Sequence, residues 1–186
     1  SDSLSGMSEI IHEIPAFDIT VPVIVIGAGA CGSIAALAAH DRGAEVLVLD
    51  RDSSPGGSTA LSSGFIPACE TRWQAAIGET DSVAIMSADI QRKAKGRADP
   101  VLTDLVARTC GPTLEWLADR HNIPFVLLEG FKYPGHTALR MHAHAEQTGR
   151  GLITALHGAL SAAEIDIMTD AHVTALFAER DGQVRG

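Results

Sequence analysis

The feature that most constrains the fold is a glycine-rich loop between two short apolar runs. The first run, Val23 to Ile26, is rich in β-branched residues, as expected for a strand buried on both faces. It leads into residues 27–32, which read GAGACG and match the pattern G-x-G-x-x-G. Residues 33–40 are alanine-rich and predict a helix, and a second apolar run, Val46 to Leu49, ends at Asp50. This order of elements predicts a dinucleotide-binding βαβ unit.

Each glycine of the loop has a physical reason. Gly27 permits the tight turn out of the strand, Gly29 leaves the backbone open to a pyrophosphate, and Gly32 lets the helix pack closely on the sheet. The N-terminus of a helix favours negative charge, so phosphates are expected there. Asp50 lies about 20 residues farther on, where its carboxylate can accept the hydroxyls of a ribose. The alternative is a set of ordinary glycine turns without a ligand.

The charge of the chain argues against a nucleic acid partner. The 186 residues include 14 basic and 23 acidic residues, which gives a net charge of −9. Nucleic acid binding requires a basic surface that displaces counterions. No apolar run approaches the roughly 20 residues that a membrane-spanning helix needs. We therefore expect no nucleic acid and no membrane segment.

The cysteines and the N-terminus bear on the compartment. Cys31, Cys69 and Cys110 are an odd number without C-x-x-C spacing, so a disulfide framework or a structural zinc site is not expected. No secretory signal is evident, and a reducing cytoplasm is the simplest setting. Residues 1–20 are expected to be a tail, in which residues 1–6 look like an appended segment and Met7 the native start. Cys31 is interpreted as a small packing residue, with a redox role as the alternative.

The middle of the chain predicts helices and loops. Asp81 is expected to cap a helix, and Asp99 before Pro100 starts another, which Gly111-Pro112 should bend or split. The segment 51–64 is too rich in Gly, Ser and Pro to be a strand, so a packed loop is expected there, with a linker between domains as the alternative. Residues 7–20 and 130–149 are also expected to be loops. The apolar face of the second helix is expected to be Leu102, Leu105, Val106, Leu114 and Leu117.

These elements predict an α/β fold with a parallel sheet. Short strands are expected at 125–128, 165–168 and 173–177, with a hairpin turn at Asp181-Gly182. More than a hundred residues separate the second strand of the βαβ unit from 165–168, which is longer than a simple crossover. The prediction is one domain over residues 21–186, with a helical insertion between its second and third strands and an incomplete C-terminus.

Two motifs together carry a family resemblance. GAGACG followed by LVLDRDSSPGGSTALSSGFIPA resembles the flavoproteins of the fumarate reductase/succinate dehydrogenase family, and in particular the branch of flavocytochrome-type fumarate reductases and 3-ketosteroid dehydrogenases. The resemblance runs from about Val21 to Gly186 and covers only the first part of the family pattern. It implies a Rossmann-like FAD-binding domain.

The resemblance also implies which residues hold FAD. The first motif would contact the pyrophosphate, the acid at the end of the second strand the ribose, and the second motif the flavin. Donors near the flavin would stabilise the negative charge of its reduced ring. The implied residues are Gly27, Gly29, Ala30, Cys31, Gly32, Asp50, Arg51 beside the adenine, Gly56, Gly57, Ser58, Thr59, Ser63, Gly64, and Val173 with its backbone on the adenine.

The chain departs from the family pattern in three ways. Ser58 stands where the membrane-complex members have a histidine joined covalently to the flavin, which predicts dissociable FAD. Phe65 stands where the family usually has a second glycine. The capping domain and the main catalytic residues of the family belong to later sequence, so a second polypeptide or a missing C-terminal part is expected to supply them.

A polar cluster supplies candidate catalytic residues. Tyr133, His136 and Arg140 could meet a small-molecule substrate, and a tyrosine from a comparable stretch reaches the substrate pocket in ketosteroid dehydrogenases. The alternative is a solvated loop. A metal pair at His142 and His144 lacks a third ligand with suitable spacing, so no metal is predicted.

The favoured hypothesis is an FAD-dependent oxidoreductase. It would move a hydride between flavin N5 and a carbon adjacent to a carbonyl or carboxylate, with an acid or base handling the proton. A nicotinamide-dependent dehydrogenase is one alternative. A non-catalytic nucleotide-binding fragment that needs a partner chain is the other.

Overall fold

The computed structural model describes residues 9–186, so the segment 1–6 and Met7 lie outside the described residues. The strands of this part are β1 (Glu9–Ile11), β2 (Val23–Ile26), β3 (Val46–Leu49), β4 (Ile66–Pro67), β5 (Phe125–Leu127), β6 (Met141–His144), β7 (Asp166–Met168) and β8 (Ala175–Phe177). The helices are α1 (Ala30–His40), α2 (Gly57–Leu61), α3 (Arg72–Ala76), α4 (Val83–Lys93), α5 (Pro100–His121) and α6 (Gly149–Ala162). None of these helices combines the length and the hydrophobicity that a membrane crossing requires.

The chain forms two compact units. The first unit consists of Ser1–Gly57 and Leu160–Gly186, and the second of Ser58–Ala159. The sequence predicted one domain over residues 21–186, but the division after Gly57 falls in the segment 51–64, for which a linker between domains was the alternative. The second unit is the insertion between β3 and β7.

A parallel sheet forms the centre of the first unit, as predicted. Its strand order is β2-β3-β7, and Val48 of β3 lies opposite Val25 of β2 and Ile167 of β7. Helix α1 crosses between β2 and β3, and its Ala36 and Leu37 are completely buried. The predicted βαβ unit is therefore present, with α1 beginning at Ala30 instead of Ser33.

The prediction that β2 is buried on both faces is wrong for the described residues. Ile24 and Ile26 are 47% and 57% exposed, whereas the alternate residues Val23 and Val25 are partly buried. Successive side chains of a strand point to opposite faces, so only one face of β2 is covered here.

In a second pair of strands, β8 was predicted and β1 was not. Residues 7–20 were expected to be a loop, but β1 within them pairs in parallel with β8, with Ile10 opposite Leu176. After β8 the chain turns back at Gly182, whose φ of +90° suits glycine, and the Glu179 N–H donates to the Gln183 carbonyl at 2.8 Å. The hairpin turn at Asp181-Gly182 is thus confirmed.

The predicted helical insertion also contains a sheet. In the second unit β4, β6 and β5 form an antiparallel sheet with β6 in the middle. Residues 130–149 were expected to be a loop, and this is wrong for 141–144, which form the buried β6. The two histidines of β6 made this strand hard to recognise in the sequence, because buried strands usually consist of apolar residues.

Helix α5 is continuous, although Gly111-Pro112 was expected to bend or split it. Pro112 lies inside the helix and removes one N–H. Gly111 faces the segment before α3, where a Cβ would lie 2.5 Å from the Cys69 carbonyl oxygen. The Cys69 thiol donates to the Ala107 carbonyl at 3.3 Å, and burial raises its pKa to about 11. Close packing at Gly111 is therefore compatible with an unbroken helix.

The predicted apolar face of α5 is confirmed at its C-terminal end and wrong at its N-terminal end. Leu114 and Leu117 are buried, but Leu102, Leu105 and Val106 are exposed. The residues that the helix buries instead are Thr103, Ala107, Gly111, Leu114 and Leu117. Small residues on this face of α5 allow close approach to α4. A search for large apolar residues at helical spacing does not detect a face of this kind.

Candidate functional site

The loop after β2 and the end of β3 line a groove of about 340 Å³ in the first unit. Gly27 has φ +96°, and its N–H donates to the Leu49 carbonyl at 2.7 Å. This conformation is strained for residues with a Cβ, so the tight turn out of β2 requires glycine. The groove residues are Ile26, Gly27, Gly29, Leu49, Asp50, Arg51, Asp52, Gly57, Ala171, His172 and Val173.

Gly32 lets α1 approach the loop, as predicted. A Cβ at this position would overlap the Gly27 carbonyl oxygen and lie 3.1 Å from the Val25 side chain. Any larger residue would therefore push α1 away from β2. The close approach fixes where the N-terminus of α1 meets the groove.

The carboxylate of Asp50 is held at the rim of the same groove. Its Oδ2 accepts from the Ala28 N–H at 2.7 Å, and its Oδ1 accepts from the Asp52 N–H at 2.9 Å. An ionised carboxylate has about four acceptor sites, so capacity is left for hydroxyl donors. The glycine loop and the acid that follows β3 are thus joined directly.

The N-terminus of α1 is suited to an anionic group. Gly29 is the N-cap with φ −68° and ψ 179°, no side chain caps this end, and the first turn contains no acid. Backbone N–H groups and the helix macrodipole favour a phosphate at such a position. Cys31 in this turn is exposed. A small side chain at this exposed position leaves the turn open to such a group.

The two predicted adenine contacts, Arg51 and Val173, also line the groove. Val173 precedes β8 and lines the groove, and the Ala171 N–H donates to the Asp50 carbonyl at 2.9 Å. This bond keeps 171–173 beside the end of β3. Arg51 is exposed and makes an ion pair with Asp52 at 3.7 Å.

The second glycine motif divides between the two units. Gly56 and Gly57 belong to the first unit, and Gly57 lines the groove. Ser58, Thr59, Ser63 and Gly64 belong to the second unit. Part of the motif forms the short helix α2, where a loop was expected.

In the second unit, the motif packs against the start of α6. Gly64 has φ +67°, and its N–H donates to Ser62 Oγ at 3.0 Å. The Gly149 N–H donates to the Ser62 carbonyl at 3.0 Å, and a Cβ at Gly149 would overlap the Thr59 carbonyl oxygen. Sequence reasoning missed Gly149, although two glycines at the start of a helix (residues 149 and 151) are a signal of close backbone packing.

Arg140, predicted to be catalytic, is a buried structural residue in this structure. Its Nε and Nη2 donate to the two carboxylate oxygens of Asp81 at 2.6 and 2.8 Å, and its Nη1 donates to Asp89 Oδ2 at 2.6 Å. All three side chains are at most 2% exposed. The guanidinium therefore binds two carboxylates of the protein instead of a substrate. Asp81, predicted to cap α4, is one of them, and Ser82 caps the helix through the Ile85 N–H.

The ion network changes the pKa of two of its members, Asp89 and Arg140. Burial alone would raise the pKa of Asp89, but hydrogen bonds from Arg140 and Thr137 hold it below its usual value. Burial alone would lower the pKa of Arg140, but Asp81 and Asp89 raise it. Asp89 and Arg140 are therefore charged at neutral pH, and each has its partner within the protein.

His142 is also engaged by the protein. Its Nδ1 lies 2.8 Å from the Arg140 carbonyl and its Nε2 lies 2.9 Å from Thr71 Oγ1. A carbonyl only accepts, so Nδ1 carries the proton, and the neutral ring accepts from the Thr71 hydroxyl. Burial lowers the pKa of His142 and favours this neutral form. Both nitrogens are thus occupied, which leaves none for a metal ion.

Tyr133 and His136 lie together on a turn near α4. The His136 N–H donates to the Tyr133 carbonyl at 2.9 Å, and the two ring centroids are 5.5 Å apart. Tyr133 is exposed and His136 is half-buried. Of the three predicted catalytic residues, these two therefore line a surface that a small molecule can reach.

Comparisons with known proteins identify relatives over most of the chain. The family model described as FAD binding domain matches residues 22–186. The NADH:fumarate oxidoreductase of Klebsiella pneumoniae is 29% identical over 162 residues, which are 86% of this chain and 17% of that protein. The urocanate reductase of Eggerthella lenta is 31% identical over 136 residues, which are 73% of this chain and 22% of that protein. The chain thus spans about a fifth of the length of these relatives.

Solved structures share the fold. The open conformation of a flavocytochrome c3 fumarate reductase matches with a TM-score of 0.81 and 27% identity, over 88% of this chain and 29% of that chain. A 3-ketosteroid-delta4-(5alpha)-dehydrogenase from Rhodococcus jostii matches with a TM-score of 0.78 and 24% identity, over 96% of this chain and 44% of that chain.

Proposed function

Because the chain belongs to the FAD-binding domain family, we propose that it is the cofactor-binding part of a flavin-dependent oxidoreductase. The reaction is transfer of a hydride between flavin N5 and a carbon adjacent to a carbonyl or carboxylate. The bound flavin supplies the hydride chemistry. The residues of this chain bind and orient it.

One observation carries the proposal. The Asp50 carboxylate, at the end of β3, accepts a hydrogen bond from Ala28 in the glycine loop at 2.7 Å. This contact brings an acceptor for the ribose and the N-terminus of α1 for the pyrophosphate into the lining of one groove. A groove of these residues fits the ADP part of FAD.

The remaining cofactor contacts follow from the family. We assign pyrophosphate contact to Gly27, Gly29, Ala30, Cys31 and Gly32, ribose contact to Asp50, and adenine contact to Arg51 and Val173. We assign the flavin-side contacts to Gly56, Gly57, Ser58, Thr59, Ser63 and Gly64. Ser58 offers no ring nitrogen for attachment to flavin, so we propose that FAD binds without a covalent bond.

Two of the three candidate catalytic residues from the sequence remain proposed substrate contacts. Tyr133 and His136 stay as candidates because a small molecule can reach the surface that they line. Arg140 is no longer a candidate, because Asp81 and Asp89 already bind its guanidinium. We propose that the residues that transfer the proton come from the rest of a longer enzyme or from a partner chain.

A nicotinamide-dependent dehydrogenase is not favoured. The family match is to an FAD-binding domain, and it extends through the second glycine motif to residue 186. Binding of FAD and not of NAD would support the proposal directly.

The test is FAD affinity in the full-length protein that contains this chain. Asp50→Asn removes a charged acceptor for the ribose and should weaken FAD binding about 10- to 100-fold, since hydrogen bonds to charged groups contribute about 1.5–3 kcal/mol. The matched control is Glu45→Gln, which removes one negative charge just before β3 and outside the groove. Equal FAD affinity of the Asp50→Asn variant and the unaltered protein would contradict the proposal.

A further inference from the structure

An aromatic pocket lies in the second unit, beside β4 and the end of β5. Its volume is about 400 Å³, which is within the range of small-molecule sites. It shares no residue with the groove at Asp50. The side chains that line it are Phe65, Leu127, Leu128, Glu129, Phe131 and Gln147.

Two phenylalanines of this pocket can be reached from solvent. Phe131 is 39% exposed, and Phe65 is partly buried. Their ring centroids are 6.0 Å apart and their planes are inclined by 50°, which is an attractive arrangement of aromatic rings. Phe131 also packs edge-on against Tyr133, with the centroids 6.0 Å apart. The pocket is therefore continuous with a residue that we propose as a substrate contact.

The pocket adjoins the glycine motif that we assign to the flavin. Phe65 follows Gly64 directly in the chain. A Cβ at Gly64 would lie 2.9 Å from the Thr148 carbonyl oxygen, so the backbones of the two segments are in contact here. Gln147, which precedes Thr148, lines the pocket as Phe65 does. A ligand in the pocket therefore lies beside the segment of the second unit to which we assign the flavin contacts.

The charges of the pocket disfavour an anion. Glu129 is the one charged side chain among the described residues that line it. Lys132 lies next in the chain to Phe131, but its ammonium donates to the Thr137 carbonyl at 3.3 Å. A carboxylate in the pocket would be repelled by Glu129 and would lose water without gaining a cation. A neutral ketone avoids this cost, and the Gln147 amide can donate to its oxygen.

We propose that this pocket binds the apolar ring body of an uncharged ketone substrate, with Phe65 and Phe131 as the specificity-determining residues. The body packs against the two rings, and Gln147 donates to a ketone oxygen. Apolar and aromatic walls with few polar groups are the usual composition of such sites. Of the two substrate types that the proposed function allows, the pocket favours the carbonyl over the carboxylate. The inference rests on the proposed function, since it names the substrate class of that reaction.

The test compares 2-acetylnaphthalene with 2-naphthoate in the full-length, FAD-loaded protein. The two probes share one aromatic body, and only the second is charged at pH 7. Ligand-observed saturation-transfer NMR measures their affinities, and flavin absorbance shows whether a bound probe lies beside the cofactor. We expect the ketone to bind about tenfold or more tighter than the carboxylate and to change the flavin absorbance.

Three variants assign the affinity to the pocket. Phe65→Ala and Phe131→Ala should each weaken ketone binding about fivefold or more, because each removes an aromatic contact. Glu129→Gln should strengthen naphthoate binding and leave ketone binding unchanged. The matched control is Leu105→Ala, which removes an exposed apolar side chain of α5 outside the pocket. It should change neither affinity.

Several outcomes would overturn the proposal. These are equal affinities for the two probes, ketone binding that leaves the flavin absorbance unchanged, and a loss of affinity in Leu105→Ala as large as in Phe131→Ala. A Phe131→Ala variant that unfolds at a lower temperature but binds the ketone normally would show that another part of the enzyme covers the pocket, and would also overturn it. Glu129 is exposed, so Glu129→Gln carries the charge test even where Phe65→Ala unfolds the segment before β4. FAD affinity is measured separately through Asp50→Asn, so failure of this proposal leaves the proposed function intact.

Discussion

Arg140 and Asp81 form a bidentate ion pair that is fully buried. Nε donates to Oδ2 at 2.6 Å and Nη2 donates to Oδ1 at 2.8 Å, and neither side chain is exposed. Parallel hydrogen bonds of this kind are among the strongest polar contacts in proteins. The pair joins the segment before α4 to the segment before β6.

The first prediction concerns the stability that this pair provides. Arg140→Met should lower the free energy of unfolding by about 3–5 kcal/mol, because it leaves Asp81 and Asp89 buried without their cation. Arg108→Met is the matched control, since Arg108 makes an equally short pair with Asp104 on the exposed face of α5. It should cost at most about 1 kcal/mol. Urea unfolding measures both, and a similar small cost for the two variants would show that the buried pair is dispensable.

The second prediction concerns stability in acid. Asp89 has a pKa below its ordinary value of 3.8 in the folded protein. The unfolded chain therefore takes up the proton first, and the contribution of Asp89 is complete above pH 3.8 and is lost as the pH falls below it. Urea unfolding between pH 5 and 2 should show this loss. Asp89→Asn should be less stable than the unaltered protein at pH 6 and should lose less on acidification.

The third prediction concerns the buried histidine of β6. Burial places the pKa of His142 below its ordinary value of 6.5. The unfolded state binds the proton more readily, so stability should fall as the pH falls below 6.5. His142→Gln removes the titrating ring and should flatten this part of the stability profile. A profile between pH 7 and 5 that is unchanged in His142→Gln would contradict the assignment.

The fourth prediction compares two helical glycines. Gly32→Ala should cost about 1–3 kcal/mol and weaken FAD binding, because the new Cβ overlaps the Gly27 carbonyl. Gly158→Ala, in α6, meets no atom within 4 Å and should stabilise the protein by about 0.5–1 kcal/mol. Thermal unfolding and FAD titration measure both variants. Equal stability of the two would mean that α1 can move away from β2.

The fifth prediction concerns the linkage of the cofactor. Ser58 cannot form the bond that a histidine forms with flavin, so acid precipitation should release all FAD into the supernatant. FAD absorbance in the supernatant and flavin fluorescence of the pellet measure this. Flavin that stays on a peptide from residues 56–64 would disprove non-covalent binding.

Much of the first unit was predictable because its motifs act over short distances. The glycine loop, the two apolar runs and Asp50 identified the βαβ unit, and the resemblance to the fumarate reductase flavoprotein family is confirmed. Gly27 and Gly32 needed no tertiary information, because the turn and the close helix packing are built into the loop itself. The exposed face of β2 was not predictable, because the sequence of a strand does not show which other elements cover its two faces.

In the second unit, the roles of several residues were not predictable from the sequence. Asp81 resembled a helix cap, Arg140 a substrate contact and His142 a loop residue, because each is a common surface residue type. Their partners lie far away in sequence, as the separation of 59 positions between Asp81 and Arg140 illustrates. Gly111-Pro112 resembled a break in a helix, yet α5 continues through it.

The sequence by itself determined the βαβ unit, the groove-forming loop and the family, because these depend on local backbone geometry. Only the tertiary structure decided that Arg140 is structural, that β6 is a buried strand and that His136 lines an accessible surface. The physical reason is that a polar side chain is stable in the interior only when distant partners satisfy it. Which partners these are is settled by the packing of the whole chain.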